Sequence, residues 1–333
     1  MMKITVIGSG SWGTALAQVL ADNGNDVQIY GVAKDEIEDI ALHHRNRRYF
    51  GDTPISSALH ATCELSDIHA YNDLFVLAVP TKFFGSVLDE VLPYVAPHTV
   101  ICNVAKGFAW DTGERLSVRI RRALGQTPHA GIVSLIGPSH AEEVILRKLT
   151  LLSAVSSELS SAELVQGLFS NAYLRVYTHT DEIGAECGAA VKNVVAIASG
   201  ILEGQGYGDN AKAALVTRGL REMTRYGVAK GGKADTFHGL TGVGDLIVTC
   251  FSSNSRNYRA GLAIGHAGSV DAIRDTKETV EGLHSCLSVY RDAQKMKIEM
   301  PIVEALYSIL YDGEQPCDAI ARLMQRPLKL ENA

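Results

Sequence analysis

Two polar residues inside an otherwise apolar segment are the first sign of chemistry. From Gly188 to Leu202 the chain reads Gly-Ala-Ala-Val-Lys-Asn-Val-Val-Ala-Ile-Ala-Ser-Gly-Ile-Leu. A helix with almost no polar face is buried all round. Lys192 and Asn193 are its exceptions. Ala185, Gly188, Ala189, Ala196 and Ser199 stand three, four or seven residues from Lys192, a small-residue face with room for a ligand. Burial penalises the ammonium form and lowers a lysine's pKa. Such a lysine is a proton donor and acceptor near neutral pH. The plainer reading is a lysine paired with a buried carboxylate for structure. Lys192 is the catalytic candidate.

A second set of residues has the chemistry to hold anions. Gly8-Ser9-Gly10-Ser11-Trp12-Gly13 follows an apolar β-branched run and opens an Ala/Leu-rich stretch. Glycines at this spacing permit a tight turn, close approach of a pyrophosphate and close helix–strand packing. The helix start then offers free N–H groups. A cofactor site therefore falls on Gly8, Gly10, Ser11, Trp12 and Gly13. The next strand ends in Tyr30-Gly31-Val32-Ala33-Lys34, without the acid expected of an NAD specialist; Asp35 and Glu36 come late. Lys34 suits a 2′-phosphate or plain solvent, so the expectation is NADP with NAD possible. Lys106 lies just beyond another strand, and Gly137-Pro138-Ser139 beyond the next, where ligands of doubly wound sheets sit. Further on, Asp245 reads either as a helix cap or as a site residue, with Thr249 one turn later on the same face. Ser255-Arg256-Asn257 opens an amphipathic stretch, combining N–H donors with a guanidinium fork suited to phosphate.

These groups need a scaffold. Strands are expected at Lys3–Ile7, Val27–Tyr30, Leu74–Val79, Thr99–Val104, Ile132–Ile136, Leu149–Val155 and Leu174–Tyr177. Helices are expected between them at 13–22, 35–43, 83–92, 114–124, 140–145 and 161–169. That alternation predicts a Rossmann-like, doubly wound and mainly parallel sheet. After residue 180 helical periodicity takes over, at 182–202, 211–226, 256–266, 279–297, 302–311 and 317–324. The expected architecture is an α/β dinucleotide-binding domain over 1–180, then an all-α substrate-binding domain over 181–333.

Composition bounds the function. The chain has 333 residues, 31 basic and 37 acidic, for a net charge of −6, which argues against a nucleic-acid partner. The basic run Arg45-Asn46-Arg47-Arg48 reads as a solvated loop. Six dispersed cysteines with no Cys-x-x-Cys pair argue against a zinc site or disulfide framework and for a reducing cytoplasm. His43-His44 are adjacent and suit metal binding poorly, so no metal is expected. The first strand begins at Lys3, leaving no room for a signal peptide. Apolar runs such as Leu74–Pro80 fall far short of the ~20 residues of a membrane span.

Taken in order, the motifs resemble the bacterial type of NAD(P)-dependent glycerol-3-phosphate dehydrogenase. The resemblance runs from Gly8 through Ala17, Lys106-Gly107 and Gly137-Pro138-Ser139-His140-Ala141. It continues through Lys192-Asn193, Gly242-Val243-Gly244-Asp245-Leu246, Ser255-Arg256-Asn257 and Val280-Glu281-Gly282. It implies reversible interconversion of dihydroxyacetone phosphate and sn-glycerol 3-phosphate, which feeds glycerophospholipid synthesis. It implies Lys192 as general acid/base, with Lys106, Gly137, Ser139, Asn193, Asp245, Thr249, Ser255, Arg256 and Asn257 around a phosphorylated three-carbon substrate. Ser11, Trp12, Lys106, Ala141, Arg256, Thr279 and Glu281 would face the cofactor, and a homodimer is compatible. Three positions depart from the family pattern: Ala105 replaces a small hydroxyl residue, His140 an aromatic, and the second strand's tip lacks the arginine of NADPH-preferring members. Two alternatives remain on the residues alone: a reductase of a hydroxy acid or acyl thioester, and a non-catalytic NAD(P)H sensor.

Overall fold

Runs rich in Val, Ile and Leu, apolar along their whole length, can only be buried between two covering layers. The computed structural model, which describes residues 1–276, 278–328 and 330–331, places them at the centre of one eight-stranded sheet. The strands are β1 (Lys3–Ile7), β2 (Asp26–Tyr30), β3 (His60–Thr62), β4 (Leu74–Leu77), β5 (Val100–Asn103), β6 (Gly131–Ile136), β7 (Thr150–Val155) and β8 (Leu174–His179). Their spatial order is β3-β2-β1-β4-β5-β6-β7-β8. The order reverses between β1 and β4, the crevice where doubly wound sheets bind ligands.

Two features of the sheet go beyond the sequence expectation. β3 was not foreseen: it is a three-residue edge strand with none of its residues fully buried, too short to show a pattern. β7 pairs antiparallel to β6, and β8 runs parallel to β7, so the last two strands oppose the other six. The sheet is therefore mainly parallel, as expected.

Helices α1 (Ser11–Asp22), α2 (Lys34–His43), α3 (Arg47–Phe50), α4 (Thr81–Val91), α5 (Leu116–Leu124), α6 (Ala141–Val144) and α7 (Leu159–Phe169) follow the strands. One apolar layer joins the sheet to α1 and α7, and another joins it to α4 and α5. Beyond β8 the described chain is helical: α8 (Glu182–Gly204), α9 (Asp209–Ala229), α10 (Asp245–Cys250), α11 (Arg256–Ala267), α12 (Glu281–Met296), α13 (Pro301–Tyr307) and α14 (Pro316–Met324). Where a single helix was expected over 302–311, α13 ends at Tyr307 and a wider π turn continues from Ser308 to Asp312.

The central element is α8. It is long and apolar enough to cross a membrane by composition, yet 94% of its most apolar window is buried within the protein. It packs on α9, α10, α11 and α12. Its crossing with α11 is backbone to backbone. A Cβ on Gly200 would lie 2.1 Å from the Tyr258 carbonyl oxygen, and one on Gly261 2.0 Å from that of Ile197.

Candidate active site

Parallel strands point their carboxyl ends to one edge of the sheet, and each candidate group in the first half of the chain leaves from there. Gly8 follows β1 with φ +118°, and a Cβ there would stand 2.5 Å from the Ala78 carbonyl oxygen, so only glycine makes this turn. A Cβ on Gly13 would meet the Gly8 carbonyl oxygen at 2.0 Å, which fixes α1 close to β1. Gly10 caps α1 and has nothing within 4 Å of its Cβ position. No side chain caps α1, and its first turn carries no acid. An open backbone at a positive helix end fits a pyrophosphate. The Trp12 indole Nε1 nearby is buried without a partner among the described residues.

The wall beside this loop differs from the sequence reading. Glu36, set aside there as too late, is buried and accepts a hydrogen bond from Ser9 Oγ at 2.7 Å. Its other oxygen takes Arg48 Nη1 at 2.5 Å. Asn46 is fully buried, its amide donating to the Ser9 carbonyl at 2.8 Å and to Thr14 Oγ1 at 2.9 Å. The run Arg45–Arg48 is thus clamped onto the glycine loop at Asn46 and Arg48, where a wholly solvated loop was expected. Lys34 is exposed at the start of α2, with no ion pair or hydrogen bond to its side chain among the described residues.

The catalytic candidate sits in a charged cluster. Lys192 is 3% exposed, and its ammonium donates to Asp245 Oδ1 at 2.9 Å and to Thr249 Oγ1 at 2.8 Å. Thr249 in turn donates to the Asp245 carbonyl at 2.6 Å, the one-turn relation expected from their spacing. Lys106 reaches the same Asp245 Oδ1 at 3.2 Å and the Gly137 carbonyl at 3.0 Å. Two lysines share one carboxylate oxygen, and the other, Oδ2, is buried with no partner among the described residues. Burial pushes the Lys192 pKa down to about 8; Asp245 opposes the shift and Lys106 adds to it. His140, half-buried nearby, is also lowered by burial, with both lysines contributing.

The small-residue face beside Lys192 is not the empty groove that composition implied. A Cβ on Gly188 would stand 2.7 Å from the Thr241 carbonyl, and Ser199 Oγ donates to the Cys250 carbonyl at 2.8 Å. The segment Leu240–Cys250 fills part of that face and delivers Asp245 and Thr249. Gly242 permits this approach, since its Cβ would lie 2.1 Å from the Phe237 carbonyl. Gly244, not Asp245, caps α10, leaving the carboxylate free to face the lysines.

Three more segments converge here. Ser255 caps α11, its Oγ accepting from the Tyr258 N–H at 3.2 Å. Arg256, exposed at the first position of that helix, has no side-chain hydrogen bond or ion pair among the described residues. Asn257 accepts from the Gly282 N–H at 2.9 Å, and a Cβ on Gly282 would lie 2.7 Å from the Asn193 carbonyl. The starts of α11 and α12 therefore meet α8 one residue from Lys192. Asn193 makes a long 3.5 Å contact to the Lys106 carbonyl. Buried Glu281 takes both the N–H and the hydroxyl of Thr81, at the start of α4. Burial raises its pKa; the Thr81 bonds and Arg256 oppose the rise. Thr81, a neighbour that sequence reasoning missed, had no motif to mark it. Among the described residues Ser139 Oγ bonds only its own turn, donating to the Gly137 carbonyl. Ala141 is buried against the α1 side of the sheet. Thr279 lies half-buried just ahead of α12, outside the helix expected to contain it.

Comparison with known proteins identifies the family of the chain. Family descriptions of NAD-dependent glycerol-3-phosphate dehydrogenase match residues 3–162 (N-terminus) and 181–321 (C-terminus). A protein of Staphylococcus haemolyticus named glycerol-3-phosphate dehydrogenase, NAD(P)+, is 43% identical over 332 residues, covering 99% of this chain and 100% of that one. One of the same name from Bacillus velezensis is 45% identical over 327 residues, covering 98% and 95%. The crystal structure of glycerol-3-phosphate dehydrogenase from Coxiella burnetii superposes with a TM-score of 0.90 at 35% identity, covering 97% of this chain and 98% of that one. With both halves matched in order and full-length relatives at this identity, the chain belongs to the NAD-dependent glycerol-3-phosphate dehydrogenase family.

Proposed function

We propose that the chain interconverts dihydroxyacetone phosphate and sn-glycerol 3-phosphate, with Lys192 as general acid/base. The observation that supports this most is the cluster itself: a buried lysine of lowered pKa beside a second lysine, both on one carboxylate whose other oxygen has no partner among the described residues. The nicotinamide cofactor, held by the Gly8–Gly13 loop, supplies the hydride when bound. In the reducing direction Lys192 Nζ gives its proton to the substrate oxygen as the carbonyl carbon is reduced; in the oxidising direction its neutral amine takes that proton back. Asp245 positions the ammonium, and its free Oδ2 accepts a substrate hydroxyl. Two cations on one anion leave the cluster positive whenever Lys192 is protonated, which favours a phosphorylated substrate. Arg256 and the N–H groups of α11 hold the phosphate, flanked by Ser255 and Asn257, with Asn193, Gly137 and Ser139 completing the enclosure.

The same reading divides labour near residue 180, with dinucleotide binding over 1–180 and substrate binding over 181–333. It extends to a cytoplasmic enzyme, a homodimer, and a product consumed in glycerophospholipid synthesis. The test is NAD(P)H oxidation by purified protein with dihydroxyacetone phosphate, set against hydroxy acids and acyl thioesters. Consumption of dihydroxyacetone phosphate with formation of glycerol 3-phosphate is expected. Turnover of a hydroxy acid without it would overturn the assignment.

A further inference from the structure

We infer that Arg48, mounted on Glu36 beside the glycine loop, reads the 2′-phosphate that distinguishes NADPH from NADH. The inference rests on the proposed dinucleotide site and deepens it. In this fold class the pyrophosphate lies at the start of α1, and the adenosine ribose lies between the glycine loop and the end of the second strand. Here those two segments touch: a Cβ on Gly31 would stand 2.5 Å from Ser9 Oγ. Ser9 therefore marks the ribose floor, and the group bonded to Ser9 is Glu36.

A carboxylate at this place ordinarily accepts the ribose hydroxyls. Glu36 is not placed to do so. Its side chain is only 6% exposed, with one oxygen on Ser9 and the other on Arg48, whereas the Arg48 side chain is 65% exposed. A nucleotide arriving from solvent meets the guanidinium, not the acid. Arg48 spends Nη1 on Glu36, and its other N–H groups have no hydrogen-bond partner among the described residues. It also lies over the Tyr49 ring, 5.4 Å from the centroid, which restrains its plane. An anchored guanidinium with free donors matches phosphate geometry. Buried Asn46 holds the segment in place through two hydrogen bonds to the glycine loop region. The arginine absent from the second strand's tip is thus supplied by α3. Lys34, exposed and unanchored, adds only screened charge.

Binding to the purified protein, followed by nucleotide fluorescence, tests this without turnover. Arg48→Ala is expected to raise the NADPH Kd about tenfold or more, as for loss of a charged hydrogen bond, while the NADH Kd stays within about twofold. The unchanged NADH affinity doubles as proof of folding. Displacement by 2′,5′-ADP should weaken in the variant, with 5′-ADP unaffected. Lys34→Ala is expected to move NADPH by less than about threefold. Glu36→Gln should leave NADH within about twofold, since Glu36 does not read the ribose. Equal shifts for both nucleotides in Arg48→Ala, or a selective NADPH loss in Lys34→Ala instead, would overturn the assignment. A selective NADH loss in Glu36→Gln would make Glu36 the ribose reader and overturn it too. Wild-type protein that binds neither nucleotide would overturn the dinucleotide reading beneath it.

Discussion

Lys192 gathers opposing influences into one titration. Burial disfavours its charged form, Asp245 favours it, Lys106 disfavours it, and the result is a pKa lowered to about 8. In the reducing direction the ammonium form donates, so kcat should fall as pH rises through about 8. In the oxidising direction the neutral amine accepts, so kcat should rise through the same pH. Steady-state profiles measured in both directions check this, and a flat pair would remove Lys192 from the role. At this scale the sequence was most readable where a charge broke an apolar pattern. Lys192 stood out because, Asn193 apart, its immediate neighbours were apolar. Its partner did not: Asp245 read equally as a helix cap, because fifty-three residues separate the pair and no local pattern encodes so distant a contact. The plainer reading, a lysine paired with a carboxylate, describes the geometry, and a second lysine, Lys106, shares the same carboxylate oxygen.

Among the elements, the crossing of α8 and α11 decides how the cluster is assembled. Lys192 rides on α8 and Arg256 begins α11, and Gly200, Gly204, Gly261 and Gly265 let their backbones touch. Gly261→Ala forces a methyl against the Ile197 carbonyl, and neither backbone can yield cheaply. Overpacking of this kind costs about 1–3 kcal/mol. A lowered unfolding midpoint with a raised KM for the phosphorylated substrate is expected; full stability in the variant would show that the helices are free to separate. Long periodic elements were legible from residues alone, because a buried face imposes its period over many residues. β3 was not, being three exposed-edge residues. Nor was the reversal at β7, since a fully buried strand has the same composition in either direction. The small-residue face on α8 was seen but misread: small residues brought a backbone close where a cavity was inferred.

At the scale of the whole molecule, buried carboxylates on the helical half lock it to the sheet. Glu186 on α8 accepts hydrogen bonds from the Ser117 N–H and hydroxyl, Arg115 and Ser134 Oγ, spanning α5 and β6. Glu182 takes Arg121, and Glu281 takes Thr81. These contacts register α8, and so Lys192, against the strand ends that carry Lys106 and Gly137. Glu186→Ala leaves a partly buried guanidinium, a buried backbone N–H and two buried hydroxyls without their acceptor, a loss of about 1–3 kcal/mol. Denaturant unfolding should register it, and an unchanged midpoint would mean that the two halves are held elsewhere. The net charge of −6 gave no hint of a paired-lysine centre; Lys106 and Lys192 come from two distant stretches that only folding unites on Asp245. The central claim is that Lys192 moves the proton. Turnover of dihydroxyacetone phosphate by Lys192→Ala, with NADH affinity measured on the same preparation, tests it most directly. We predict that kcat falls by on the order of 10²–10⁴ while NADH binds as in the wild type. Undiminished turnover in that variant would contradict the account.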